Sequence, residues 1–303
     1  MSISNAFSKR ASYRLLFLFA IFGFGLLWLL VPFNGAGDRF CFQSLAKSNE
    51  YRADWEVHSL TPEETADLNK ALDQNYRYLA CGQQAFAFVS DDGHYVLKFL
   101  KKKQFETHRF WDRKKQWERR NKQERDFASY RLAFDALQQE TGLVFVHLNP
   151  SSDLPLQLKV TDVKGKTHSL NLNKLNFILQ RRAELVYPTI DRLMEQGAVD
   201  EAKQALRSLL TLFAHRIQKG IADSDPDLDK NFGFIEGKAI QIDVGRFTDR
   251  PQITHYRNRD NGVEKAFSHV PFPPIKESFW EWLLANYPLL YDDFKKAVEE
   301  AAI

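Results

Sequence analysis

From Leu15 to Phe33 the chain runs 19 residues without a charge, LLFLFAIFGFGLLWLLVPF. As a helix this run nearly spans a hydrocarbon core. Trp28 sits toward one end, where interfacial aromatics anchor. Lys9, Arg10 and Arg14 precede the run, and Asp38 and Arg39 follow it. A cleaved signal peptide also has a basic lead, but its apolar core is usually shorter. Gly35, Ala36 and Gly37 make a poor cleavage site. A buried helix of a soluble protein is the third reading. We read residues 15–33 as a single-pass transmembrane anchor behind a basic tail, 1–14. The positive-inside bias then places the following body on the non-cytoplasmic side.

Charge sharpens the rest. The 303 residues are 44% apolar and 27% charged, which excludes wholesale disorder and collagen-like classes. The net charge of +3 conceals an uneven distribution. Lys98 to Arg125 holds 12 Lys/Arg against 4 Asp/Glu, and the remainder beyond that segment and the basic tail is acidic. Cys41 and Cys81 cannot build a disulfide framework or a cysteine-based zinc site. The sequence neither requires nor excludes a bridge between them.

Residues 34–70 read as a juxtamembrane connector. Thr61-Pro62-Glu63-Glu64 starts a helix with a cap, a first-position proline and first-turn acids. Strands follow at Tyr76–Ala80, Phe86–Val89 and His94–Leu100, with Asp91-Asp92-Gly93 as the hairpin turn. A polar helical stretch covers roughly 103–139. Strands at 144–148, 156–160 and 175–180 precede helices at 188–196, 200–219 and a pair within 276–302. Strands first and helices later predict an α+β fold with a β-rich lobe (71–183) and an α-rich lobe (184–303), not alternating βα units.

Four segments could carry chemistry. Gly82 to Val89 keeps the frame G-x-G-x-x-G-x-V, with Gln84 and Ala87 in place of two glycines; an ordinary hairpin fits it too. Lys98, in Val96-Leu97-Lys98-Phe99, must snorkel or pair with an anion, and a plain edge-strand lysine is the alternative. Asp223, Asp225, Asp227, Asp229 and Asn231 crowd a proline-containing loop whose oxygens suit a hard cation. A solvated acidic loop is the alternative; a calcium loop is not, because the sharp-turn glycine and closing glutamate are missing. Asp243 ends an apolar strand in Ile242-Asp243-Val244-Gly245.

In this order, Lys98, Asn231 and Asp243 resemble the protein-kinase-like phosphotransferase superfamily, over roughly residues 76–250. The resemblance implies a two-lobed kinase-like fold, preceded here by the single transmembrane helix. It also implies ATP and Mg²⁺. Lys98, Gly82 and Gln84 would meet the phosphates, and Asn231 and Asp243 the metal. An aspartate would accept the acceptor hydroxyl's proton. Gln180-Arg181-Arg182-Ala183 looks like the interlobe hinge, with Arg181 near the adenine. Glu124 is the expected helix partner of Lys98, with Glu118 as rival.

The departures are plain. The position five residues before Asn231 is Pro226, so the catalytic aspartate is assigned to Asp225, with Asp223 and Asp227 as rivals. His215-Arg216 lies too early to be the loop's His-Arg and reads as helix surface. No Ala-Pro-Glu motif follows Asp243, so the pattern looks closer to atypical or small-molecule kinases, and the phosphoacceptor is not legible. The degraded glycine loop equally suits an inactive pseudokinase acting as a membrane-tethered binding module. An adaptor with inert acidic loops is a third reading. The basic segment 101–125, interleaved with Phe105, Phe110, Trp111 and Trp117, reads either as a solvated helix or as a surface for anionic lipid. Stacking on RNA is a further reading. With an anchor present, lipid is the more economical partner, and no nucleic acid is expected.

Overall fold

The described part of the connector is built into the core. In the computed structural model, residues 40–48, 50–106, 111–249 and 275–301 are described, together with the backbone of 255–257 and 264–266. The expected anchor at 15–33 lies outside the described residues. Among the described residues no helix is long and apolar enough to cross a membrane. Leu45 bridges Lys101 and Lys47 bridges Leu175, so the chain enters as an irregular strand over the sheet. Leu45 and Ala46 are buried. Cys41 and Cys81 are both free thiols.

Helix α1 (Pro62–Leu72) starts where its sequence predicts. Thr61 Oγ1 accepts from the Glu64 amide at 3.2 Å, and Glu64 Oε2 accepts from the Thr61 amide at 2.7 Å. A meander follows: β1 (Tyr76–Cys81), β2 (Ala85–Ser90) and β3 (Tyr95–Leu100). Its second turn uses Gly93 at φ 78°, a conformation glycine adopts without Cβ strain. Helix α2 (Arg113–Thr141) begins about ten residues later than the sequence suggests. Lys102–Gln104 forms a separate 3-10 turn, and Asp112 caps α2 by accepting from the Lys115 amide at 2.9 Å.

Strands β4 (Leu143–His147), β5 (Leu158–Thr161), β6 (Thr167–Leu170) and β7 (Phe177–Arg181) complete a seven-stranded sheet in the order β4-β7-β3-β2-β1-β5-β6. Only β1 and β5 run parallel. Strand β6 was not expected; Thr-His-Ser-Leu carries almost no apolar alternation, and its pairing with β5 places it. Then come β8 (Glu184–Leu185), α3 (Val186–Glu195), α4 (Val199–Gln218), β9 (Ile221–Asp223), β10 (Phe232–Ile235), β11 (Lys238–Gln241) and β12 (Phe247–Asp249). A short ladder of β13 (His255–Arg257) and β14 (Glu264–Ala266) precedes α5 (Glu277–Asn286) and α6 (Pro288–Ala301). The β10–β11 hairpin turns at Glu236 and Gly237, both at positive φ. Gly233 is required on its other edge: a Cβ there would lie 2.3 Å from the Glu184 carbonyl oxygen of β8.

The result is an α+β fold, with a curled sheet in the first half and helices in the second. One core fills the sheet half around Phe86, Phe88, Phe99 and Phe177. A second packs α3, α4, α5 and α6 around Phe213, Phe232, Phe279 and Phe294. A third joins α2 to the strands and to Val244 and Phe247 through Phe127, Phe134 and Ile178. Phe177 is fully buried and meets the rings of Phe99, Phe145 and His147. Replacing it with alanine is expected to remove about 3–5 kcal/mol of stability, read from urea denaturation midpoints. A loss below about 1 kcal/mol would contradict this packing.

Candidate functional site

Lys98 projects from β3, an interior strand between β2 and β7, so it is not an edge lysine. Its ammonium donates to Gln180 Oε1 at 2.7 Å and to the Ile242 carbonyl at 2.8 Å. Residue 98 keeps some exposed surface, but the enclosure of the ammonium dominates. Desolvation pulls the amine down to about 8, and the Asp243 carboxylate opposes that shift. One bond therefore joins the sheet to the backbone immediately before Asp243.

The acidic loop sorts its own carboxylates. Asp223 is buried; its Oδ2 receives Gln241 Nε2 at 2.6 Å and Arg216 at 3.4 Å. Its Oδ1 takes the Asp225 amide at 2.9 Å. Burial raises the Asp223 carboxyl pKa, resisted by Arg216. Asp227 is held by Lys276 at 2.8 Å and Lys230 at 3.3 Å. Asp225 alone of the three makes no side-chain hydrogen bond or ion pair with a described residue, and it is partly exposed. Asn231 Nδ2 donates to the Asp225 carbonyl at 2.8 Å, which leaves Asn231 Oδ1 as the unused oxygen.

Asp243 arrives beside this loop because the Asn231 carbonyl accepts from the Ile242 amide at 2.7 Å and the Asp243 amide at 3.4 Å. The Asp243 carboxylate takes one hydrogen bond, from the Gly245 amide at 3.1 Å. A carboxylate and an amide oxygen, both largely uncommitted, form a donor set that fits Mg²⁺ shared with phosphates. No cluster of three His, Cys, Asp or Glu suited to a metal occurs among the described residues.

The β1–β2 loop is held from its carbonyl side. Lys101 Nζ donates to the Gly82 carbonyl at 2.6 Å, Gln104 Nε2 to the Gln83 carbonyl at 2.8 Å, and the Lys101 amide to the Gln84 carbonyl at 2.9 Å. The amides of Gln83 and Gln84 have no partner among the described residues. Such amides are the donors a phosphate takes. The Gln84 side chain accepts from Tyr130 OH at 2.9 Å. A Cβ on Gly245 would lie 3.0 Å from Gln84 Oε1 and 3.2 Å from the Tyr130 hydroxyl. The loop, α2 and the Asp243-Val244-Gly245 segment thus converge at that glycine.

Three expectations need correction. Glu124 is not brought to Lys98; it pairs with Arg52 and accepts from Trp55 Nε1 at 3.2 Å, because that stripe of α2 faces the connector. Glu118 is exposed. The α2 residues that do reach the site are Ser129 and Tyr130. Ser129 Oγ donates to the Val244 carbonyl and accepts from the Phe247 amide at 2.6 Å. Arg181 points away, to Asp67 at 2.8 Å, and its amide is used by the Gly142 carbonyl. The buried hinge side chain is Gln180, whose Nε2 donates to the Thr141 carbonyl and, at 3.2 Å, to that of Gln241. Arg216 is not helix surface: it is 2% exposed and bonds Gln241 as well as Asp223. Only His215 lies outside.

No family model and no curated protein matches the chain. Among solved structures it is similar to WbdD, a bifunctional kinase-methyltransferase, in a co-crystal with the kinase inhibitor LY294002. There the identity is 16%, over 73% of this chain and 45% of that one, with a TM-score of 0.33. It is also similar to Rv3197 of Mycobacterium tuberculosis in complex with erythromycin, at 16% identity over 76% of this chain and 59% of that one, TM-score 0.31. A third is ROP2 of Toxoplasma gondii, a virulence factor with a protein-kinase fold and no enzymatic activity. It is 11% identical over 65% of this chain and 62% of that one, TM-score 0.31. The chain spans less than two thirds of the length of each. The neighbours include kinase-fold proteins. Likeness this distant transfers no residue role.

Lys98 supplies a direct test of the geometry. Carbon-13 methylation of the lysines and NMR titration should give Lys98 a midpoint near 8, against about 10.4 for a free lysine. Asp243→Ala should lower it further, because a favourable charge is removed. The folded value lies below the unfolded one, so the Lys98 contribution to stability rises with pH between the two. A midpoint near that of a free lysine would show an ammonium in open water.

Proposed function

We propose that the chain is an atypical, kinase-like phosphotransferase that moves the γ-phosphate of ATP to a hydroxyl acceptor. The observation that carries this reading is the convergence of Lys98, Asn231 and Asp243 with Asp225, whose carboxylate no described residue binds. Lys98 would meet the nucleotide phosphates, with the Gln83 and Gln84 amides beside it. Mg²⁺ held by Asn231 and Asp243 would neutralise phosphate charge. Asp225 would orient the acceptor hydroxyl and take its proton. Asp223 would act through the loop: bonded to Arg216, Gln241 and the Asp225 amide, it fixes the position of its neighbour. Within this reading the kinase-like body is 71–303, the connector 34–70 and the membrane anchor 15–33, with the body on the non-cytoplasmic side.

A second reading, a nucleotide-binding or scaffold pseudokinase, is favoured by one feature. Among the described residues Lys98 has no helix carboxylate as partner, and Gln84 bonds Tyr130 against Gly245 where a bare glycine loop would leave space.

Phosphate release or transfer from ATP by the full chain separates the two. With Mg²⁺, turnover is expected, and Asp243→Ala should abolish it. Asp225→Asn should lower it about 10²–10⁴-fold, the contribution of a positioned general base, while nucleotide binding persists. Asp227→Asn should cost far less. Binding without turnover across a broad panel of hydroxyl acceptors would favour the pseudokinase.

A further inference from the structure

The first turns of α2 break a local rule. Their opening turn carries Arg113, Lys114 and Lys115 and no acid, against the positive end of the helix dipole. Asp112 at the cap is the one offset. Trp117 follows, 65% exposed. On a helix its surface neighbours lie three and four residues away: Arg113 and Lys114 on one side, Arg120 on the other. All four residues are exposed, and none makes a side-chain hydrogen bond or ion pair with a described residue. The fold uses neither the cations nor the indole. Local rules broken without an internal gain mark positions kept for something outside the fold.

The position of this face narrows what that is. Lys47, Arg52 and Trp55 of the connector share a cavity with Arg120 and Glu124 of α2, and Glu50 and Glu106 line it too, so the cavity is of mixed charge and the excess of cations lies on α2 beside it. The connector is the stretch of chain that continues from the apolar run at 15–33. Only residues 34–46 separate that run from Lys47, at the edge of the basic face.

We propose that Arg113, Lys114, Trp117 and Arg120 form a docking face for an anionic phospholipid bilayer. An indole ringed by cations suits the headgroup region: the ring enters the interface, and the cations meet lipid phosphates and carboxylates. Stacking on single-stranded RNA uses similar chemistry and is one outcome of the test below.

The test holds the full chain in nanodiscs of phosphatidylcholine alone or with phosphatidylserine, doped with lipid brominated on its acyl chains, and reads tryptophan emission. Anionic discs are expected to quench the wild type more than neutral discs do. That excess should vanish in Trp117→Phe. The triple variant Arg113→Gln, Lys114→Gln, Arg120→Gln should shift the docked-to-undocked ratio on the order of 100-fold toward undocked. All four positions are exposed, so an unchanged thermal midpoint verifies folding. Equal quenching in neutral and anionic discs, or an excess that survives both variants, would overturn the proposal. So would quenching of Trp117 by polyuridylate with no lipid-dependent excess, which would assign the face to RNA.

Discussion

Everything at the candidate site hangs on a buried polar relay. Lys98 bonds Gln180, Gln180 bonds the Gln241 carbonyl, and the Gln241 side chain bonds Asp223 and Arg216. β3, β7, β11, β9 and α4 each contribute one member. Such a relay is costly unless satisfied, because each member would otherwise lie desolvated without a partner. Once satisfied, it allows little choice of register among those elements. The acidic loop leaves β9 and returns to β10 from anchored ends, with Asp225 between them. The depressed Lys98 amine comes from the same burial, so the feature that organises the fold also tunes the group that would meet phosphate.

A second constraint runs along α2. Its outer stripe holds the connector: Arg52 and Trp55 at Glu124, Trp55 edge-on to Phe127, and His58 stacked on Phe134 and bonded to Asp135. Its inner stripe holds Val244, Phe247 and Gln84 through Ser129 and Tyr130. One helix therefore touches the entering chain on one side and the candidate site on the other. The two cores on either side meet through the third, which α2 dominates.

Much of this was legible in residues near one another. The Asp91-Asp92-Gly93 turn and the Thr61 cap are written in local patterns. Lys98, Asn231 and Asp243 each sit at a strand or loop position that its immediate neighbours define. What failed was non-local. The expected Glu124–Lys98 pair does not form because the partner of Glu124, Arg52, lies 72 residues away, and only tertiary packing sets the rotation of α2. Arg216 looked like surface because a buried arginine is visible only when Asp223 and Gln241 are known to face it. Arg181 and Gln180 exchanged importance for a similar reason: in β7 the glutamine turns inward to Lys98 and the arginine outward to Asp67. Tyr130 carries no motif, and it became apparent only through its contact with Gln84 and Gly245.

In the proposed reading, Lys98 and Asp243 are two halves of one magnesium–nucleotide site. Its most direct measurement is the thermal unfolding of the full chain with ATP, with and without Mg²⁺. A ligand at about 100 times its dissociation constant stabilises the folded state by roughly 2.7 kcal/mol, a shift of several degrees. The rise is expected to require Mg²⁺ and to be lost in both Lys98→Ala and Asp243→Ala. A Mg-dependent rise of equal size in those two variants, or none in the wild type, would contradict it.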